Sequence, residues 1–404
     1  MNATASLPTT DAATHSLRNV AEWIFSLPHA SVYAVKNSAL LDPGMLENAF
    51  ASHCKDGRYH AISEATLGGQ FDHGYFVLEN KHTGAVAVQQ FFFVDQDLLA
   101  GLPAQVRHPF VALRRFWPRL LTLRMLMVGC SSGEGQLDCD EPWAVEVLHE
   151  SLDVYAKKQG ASMILLKDFP ARYRRALGCF SRNGYSRAPS MPGAGMPIDF
   201  ANFEEFMQRK LGKIYRKNLR RKFKGNAKSP PITMEVVNDV TACVDEIYGL
   251  YLQTFNRSEF KFEKLTPEYF CALGQRMPDR TRYFLWRQEG RIIAFSLCLV
   301  HDGTIHDMNV GMDYVVALDL HLYFVTFHDI IQWAAENGLR HYCTGPLNYD
   351  PKLHLRLQLD PLDLYARHTS RWIAPLFKFA LNYLQPARHD KTIRRFRNAH
   401  ELYS

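Results

Sequence analysis

The sequence predicts a duplicated α+β fold. Three observations carry this: two β-hairpins of the same form, two helices that each end on glycine and lead into an apolar strand, and one order for these parts in both halves of the 404-residue chain. The first hairpin runs from Gly74-Tyr75-Phe76-Val77-Leu78 through a turn at Asn80-Lys81-His82-Thr83-Gly84 into the strand AVAVQQFFFV. The second runs from Arg282-Tyr283-Phe284-Leu285-Trp286 through Gln288-Glu289-Gly290 into RIIAFSLCLV. Both place aromatic and β-branched residues around a short polar turn, as two antiparallel strands require. Farther on, VEVLHESLDVYAKKQG is followed by ASMILLKDF, and VTFHDIIQWAAENG by LRHYCTGPL. Glycine just past the last periodic residue stops a helix because it enters the left-handed region without a Cβ clash.

The two halves differ in one respect. From hairpin glycine to helix-closing glycine, the first half spans 76 positions (Gly84 to Gly160) and the second 48 (Gly290 to Gly338). The excess falls near residues 99–126, where Phe110, Phe116, Trp117, Leu120 and Leu121 alternate with Arg107, Arg114, Arg115, Arg119 and Arg124. Apolar bulk interleaved with arginine is the composition of a segment lying in a membrane interface, and equally of a basic amphipathic helix. Between the halves, residues 209–228 hold ten Lys and Arg and no acid, while Leu211, Tyr215, Leu219 and Phe223 recur every four residues. This predicts a helix with a narrow apolar stripe and a cationic remainder. The absence of interleaved acids points to an anion nearby: a cofactor phosphate, a lipid headgroup or nucleic acid. A third basic region closes the chain, with Trp372, Leu376, Phe379 and Tyr383 at helical spacing ahead of Arg388, Lys391, Arg394, Arg395 and Arg397. Three such regions together favour an anionic membrane surface as a partner.

The expected organisation is a mobile tail at 1–20, a first domain at 21–205 with its insertion near 99–126, a basic linking helix at 206–230, a second domain at 231–370 carrying the candidate active site, and a basic amphipathic segment at 371–404. A hydrophobic fraction of 47% and a charged fraction of 22% exclude wholesale disorder and rod-like repeats. Eight cysteines without a CxxC pair suggest reduced thiols and no structural zinc, and no metal is expected. No run reaches the roughly 18 apolar residues of a membrane span, so the chain is expected in the cytoplasm, peripheral on the inner face of the membrane.

G-x-S-x-G, the G-x-x-x-x-G-K-[ST] phosphate loop and H-E-x-x-H are all missing, which removes the usual support for hydrolase, nucleotide triphosphatase and zinc protease readings. The informative stretch is 304–368. In TIHDMNVGMD, strand alternation puts Asp307 and Asn309 on one face, a polar pair suited to a cleft wall. The following helix opens near Asp319, His321 and Tyr323, where its N-terminus favours an anion or oxyanion. Next, Asn348, Tyr349, Asp350, Lys352, His354 and Arg356 crowd into nine residues after Gly345-Pro346, as in a binding loop at a strand end.

These residues resemble predicted N-acyltransferases of the GNAT superfamily, the group that includes the Fem-type transferases with two tandem GNAT-like folds. LHLYFVTFHDIIQWAAENGL (320–339) resembles a family helix opening Leu-His-Phe-Glu, with His321 at the histidine and Tyr323 where the family has glutamate. TGPLNYDPK (344–352) resembles the family's glycine-containing strand end and later lysine, here Lys352, and His368 in ARHTS matches a later histidine. YRKNLRRKFKGN resembles the basic helix before the second fold, while the usual GNAT pyrophosphate loop is not visible. The resemblance implies tandem GNAT-like folds, each a mixed sheet flanked by helices, and direct N-acyl transfer. The donor implied is acyl-CoA or acyl carrier protein as co-substrate, with an amphipathic amine, a sphingoid base if the resemblance to bacterial ceramide synthases holds. His321 and Asp307 are expected in the proton path. Lys352 and Asn309 are expected to orient substrate or polarise its carbonyl. Tyr323, Asn348, Tyr349, His354 and His368 are expected to line the site, and Arg216, Arg220 and Arg221 to meet the donor's phosphates. Two alternatives stay open: a Fem-type aminoacyltransferase taking its group from tRNA, and a catalytically silent binder of membrane or nucleic acid.

Overall fold

A computed structural model describes residues 17–97, 114–115, 122–226, 229–258, 261–370, 372–374 and 385–404. Residues 1–16 of the expected tail, most of the 99–126 insertion and much of the expected amphipathic segment at 371–404 lie outside them. The strands, in chain order, are β1 (Trp23–Ser26), β2 (Ala30–Val35), β3 (Asp72–Asn80), β4 (Val86–Asp97), β5 (Thr122–Val128), β6 (Met163–Pro170), β7 (Ser186–Pro189), β8 (Gly193–Pro197), β9 (Ile232–Val237), β10 (Thr281–Gln288), β11 (Arg291–His301), β12 (Thr304–Met312), β13 (His341–Thr344), β14 (Gln358–Asp360) and β15 (Leu362–His368). Eight helices matter below: α1 (Gly57–Leu67), α2 (Pro142–Lys158), α3 (Phe203–Lys210), α4 (Lys213–Asn226), α5 (Val244–Arg257), α6 (Pro267–Arg276), α7 (Leu322–Glu336) and α8 (Tyr349–His354).

Two compact units form, and neither is continuous in the chain. The first comprises residues 1–50, 68–190 and 363–385, the second 51–67, 191–362 and 386–404. The first unit's sheet has the order β1-β2-β3-β4-β5-β6-β15-β7, the second's β9-β10-β11-β12-β13-β8-β14. Reading the first from β2 and the second from β9, the positions correspond one for one. Each has a run of antiparallel strands, then one parallel pair, β5 with β6 and β12 with β13. Each then accepts a strand from the other half of the sequence: β15 between β6 and β7, β8 between β13 and β14. The duplication read from hairpins and helix stops is therefore present in the strand order, with a reciprocal exchange of one strand.

Local chemistry sets the element ends. The glycines closing α2 and α7, Gly160 and Gly338, have φ of 69° and 70°, the left-handed conformation that a Cβ disfavours. The basic run does not form one helix: α3 stops at Lys210 and α4 starts at Lys213, with Leu211 extended at ψ 142° and Gly212 between them. The second unit's core lies where Ala294, Cys298, Ile305 and Met312 of the sheet meet Phe327, Ile330 and Ile331 of α7. On the opposite face α5 lies so near β12 that a Cβ on Gly311 would stand 2.3 Å from the Phe295 ring and 2.7 Å from the Tyr251 amide nitrogen.

Candidate active site in the second unit

The site is built around a fault in the β11–β12 ladder. Leu297 pairs with Asn309, but Cys298 pairs with Asp307, so Met308 is an extra residue in β12. A bulge of this kind breaks alternation, because the residues on its two sides no longer differ by an even step. The expectation that Asp307 and Asn309 share a face is thereby corrected. Asp307 lies on the face of Ser296 and Cys298, toward α7, whereas Asn309 lies on the face of Leu297, toward α5.

The parallel pairing of β12 with β13 runs from Thr304 with His341 to Asp307 with Thr344. Past that rung β12 continues to Met312, while the chain after β13 turns away through Leu347 and Asn348, both at positive φ (72° and 52°). Left-handed backbone at two successive non-glycine residues is costly and gathers where a site demands it. It carries the chain into α8, which delivers Lys352 to the end of the parallel pair.

Asp307 accepts hydrogen bonds from the Ser296 hydroxyl and, at 2.8 Å, from the Tyr342 phenol, with the Cys298 thiol 3.8 Å away. Burial pushes its carboxyl above the usual carboxylate range, against these hydrogen bonds and the charge of Lys352. Lys352 is only 4% exposed; its ammonium donates to the Gly345 carbonyl at 2.5 Å and stands 5.6 Å from the Tyr349 ring centre. Burial lowers its pKa to about 8, with Asp307 and Asp360 opposing the drop. Asp360, paired with Gly193 of β8, can lay its carboxylate over Gly195, where a Cβ would be 2.8 Å from an Asp360 oxygen and 2.9 Å from the Tyr342 carbonyl. The Tyr323 phenol is raised by burial and then by Asp307 and Tyr215. Tyr215 in turn stacks on His354, with ring centres 5.3 Å apart, and burial followed by Asp350 pushes it up to about 12. Beside this stack opens a cleft of about 690 Å³ lined by Lys213, Ile214, Asn218, Leu353, Arg356 and Arg395 among others.

The expected site residues thus separate. Asp307, Lys352, Tyr323 and Tyr349 converge, His354 stands at the cleft, and Asn348 begins α8 in left-handed conformation. His321 sits at the start of α7 with φ 50°, where burial and then Lys222 and Arg221 lower its pKa. His368 ends β15 in the first unit, its Nδ1 accepting from the Ser370 amide at 3.0 Å. Arg216 donates to the Gln208 and Leu211 carbonyls at the end of α3, and Arg220 pairs with Glu204. Arg221 is on the exposed side of α4. Tyr342, Ser296, Cys298, Asp360 and Gly195 escaped sequence reasoning. They come from four strands, and nothing local marks them as neighbours.

The first unit offers a direct contrast. Its last parallel rung pairs Val128 with Leu166, and Phe91 stands opposite Val128, in the places of Asp307, Thr344 and Cys298. Two residues back, Ile164 holds the position of Tyr342. These substitutes are buried in an apolar core. The polar centre belongs to the second unit.

Residues 213–352 match the family described as Acetyltransferase (GNAT) domain, and this stretch of the chain carries that domain. Among solved structures, FemX has a similar fold at a TM-score of 0.52 and 12% identity, covering 92% of this chain and 99% of that one. The C-terminal domain of a putative lysylphosphatidylglycerol synthetase from Agrobacterium fabrum is similar at a TM-score of 0.51 and 13% identity, covering 84% and 96%. A curated relative, putative 8-amino-7-oxononanoate synthase 2 of Mycobacterium tuberculosis, is 21% identical over 274 residues, 64% of this chain and 35% of its own length. The chain therefore spans about a third of that relative.

Proposed function

We propose that the second unit transfers an acyl group, long-chain in preference, from a thioester of coenzyme A or acyl carrier protein to the amine of an amphipathic acceptor such as a sphingoid base. The observation that carries this is the Asp307–Lys352 pair at the point where β12 and β13 part. An amine adding to a thioester carbonyl must lose a proton, and the carbonyl oxygen gains charge as it does so. Asp307, its basicity raised by burial, takes the proton; Lys352, an ammonium below about pH 8, stabilises the oxyanion. Collapse forms the amide, breaks the carbon–sulfur bond, and returns the proton to the thiolate. No bond to the enzyme is made.

The cleft beside Tyr215 and His354 suits the donor: Lys213, Arg356 and Arg395 supply cations for phosphates, Ile214 and Leu353 supply apolar contact. The mycobacterial relative's name supports the acceptor class, since it describes an alkyl chain bearing an amine beside a ketone. Purified protein given acyl-CoA of increasing chain length and a sphingoid base should release free thiol only with the amine present, and mass spectrometry should find the amide. Transfer from aminoacyl-tRNA, with no thiol released from any acyl-CoA, would replace this reading with Fem-type aminoacyl transfer.

A further inference from the structure

Helix α4 is amphipathic in an unusual sense. Its inward side carries Leu219, 1% exposed, with Tyr215 and Phe223 packed on the same core. At 100° per residue, Lys213, Ile214, Lys217, Arg221 and Lys224 fall within a sector of about 100° on the other side. All five are exposed, and Ile214 is 81% exposed. Among the described residues the other cations of the basic run have partners: Arg209 and Lys210 pair with Asp199, Arg220 with Glu204, and Arg216 with the Gln208 and Leu211 carbonyls. Lys222 lies over the Phe324 ring at 4.7 Å. Among the described residues no acid pairs with Lys217, Arg221 or Lys224.

A second element adjoins the C-terminal end of this helix. The loop 313–321 is fixed to the end of α4 by a 2.5 Å hydrogen bond from the Asn226 amide to the Leu320 carbonyl, and His321 lies near enough to Arg221 and Lys222 to feel their charge. From it Val315 and Leu318 project, 83% and 78% exposed. The acids of that loop are Asp313, buried and bonded to Arg291, and Asp319, which is exposed. Two bare aliphatic side chains, Val315 and Leu318, therefore accompany a cluster of cations that one carboxylate does not neutralise. Aliphatic groups in water gain by entering hydrocarbon, and unpaired cations gain by meeting anionic headgroups, so both halves of the patch are satisfied by one partner. Nucleic acid would satisfy only the charge, since binding single strands calls for aromatic stacking that Ile214, Val315 and Leu318 cannot supply.

We propose that the exposed face of α4 and the 313–321 loop form a docking surface for an anionic lipid bilayer, with Val315 and Leu318 entering the interface and Lys217, Arg221 and Lys224 meeting headgroups. This stands whether the acyl donor is a thioester or an aminoacyl ester. It is tested by flotation of the full chain with vesicles of phosphatidylcholine alone and of phosphatidylcholine mixed with phosphatidylglycerol. Binding should favour the mixed vesicles and weaken as salt rises. Each headgroup-facing cation is worth about fivefold in partitioning, so Lys217→Gln/Lys224→Gln should bind mixed vesicles about 25-fold more weakly at low salt. Val315→Ser/Leu318→Ser should lower binding while its salt dependence persists. Unchanged thermal melts would confirm that both variants are folded. Wild-type flotation by both double variants would overturn the proposal, as would failure of the wild type to float, or patch-dependent binding of RNA without binding of vesicles.

Discussion

Replacing Lys352 by methionine removes a buried ammonium while roughly keeping the side chain's length, and the consequence for stability can be worked through. The folded chain holds Lys352 at about 8, against 10.5 for an ordinary lysine. Between these values the unfolded chain carries a proton at this site that the folded chain does not, so stability rises with pH across that window. Over the full interval this group contributes about 3 kcal/mol, and between pH 7 and 9.5 about 2 kcal/mol. Below pH 8 both states are protonated and the folded protein bears the whole cost of the buried charge. Urea unfolding of wild type and Lys352→Met at pH 7 and 9.5 isolates the effect, because every other titrating group is common to both proteins. The wild type should gain about 2 kcal/mol more than the variant over this interval. Parallel behaviour of the two would refute the depressed lysine and, with it, the role of Lys352 as an ammonium that activity loses above pH 8.

Further expectations concern the same centre. The pH profile of kcat/KM should rise on an acid limb above the usual carboxylate range, as Asp307 ionises, and fall through about 8 as Lys352 loses its proton; Lys352→Arg should abolish the alkaline fall. Asp307→Asn should lower kcat on the order of 10²- to 10⁴-fold with the fold intact by circular dichroism, and wild-type turnover would remove Asp307 from the proton path. His321→Gly should relieve the left-handed strain at φ 50° by about 1 kcal/mol, seen as a raised Tm with kcat unchanged; a large fall in kcat would return His321 to the proton path. Gly311→Ala should destabilise by about 3 kcal/mol in denaturant titration, since its Cβ meets the backbone of α5, and a loss near zero would contradict the close approach of α5 to β12.

The residues themselves determined the α+β class, the repeat and the half of the chain that carries polar chemistry, because hairpins, helix stops and hydrophobic periods are written within a dozen neighbouring residues. Gly84, Gly160, Gly290 and Gly338 all take positive φ, as such stops require. Asp307 and Lys352 were also legible, as a carboxylate on a strand and a lysine in a loop crowded with polar groups. What the sequence could not express was distance in the third dimension. The exchange of β8 and β15 between sheets follows from which edge is left open once the other strands have paired, a property of whole sheets. The bulge at Met308 reversed the side on which Asn309 lies, since one unpaired residue shifts every later position by a half period. Burial then lowered Lys352 and raised Asp307, through Tyr342, Ser296 and Asp360 brought from other strands to surround them. A pKa depends on the dielectric and the charges within a few ångströms, and those are set only when distant segments pack.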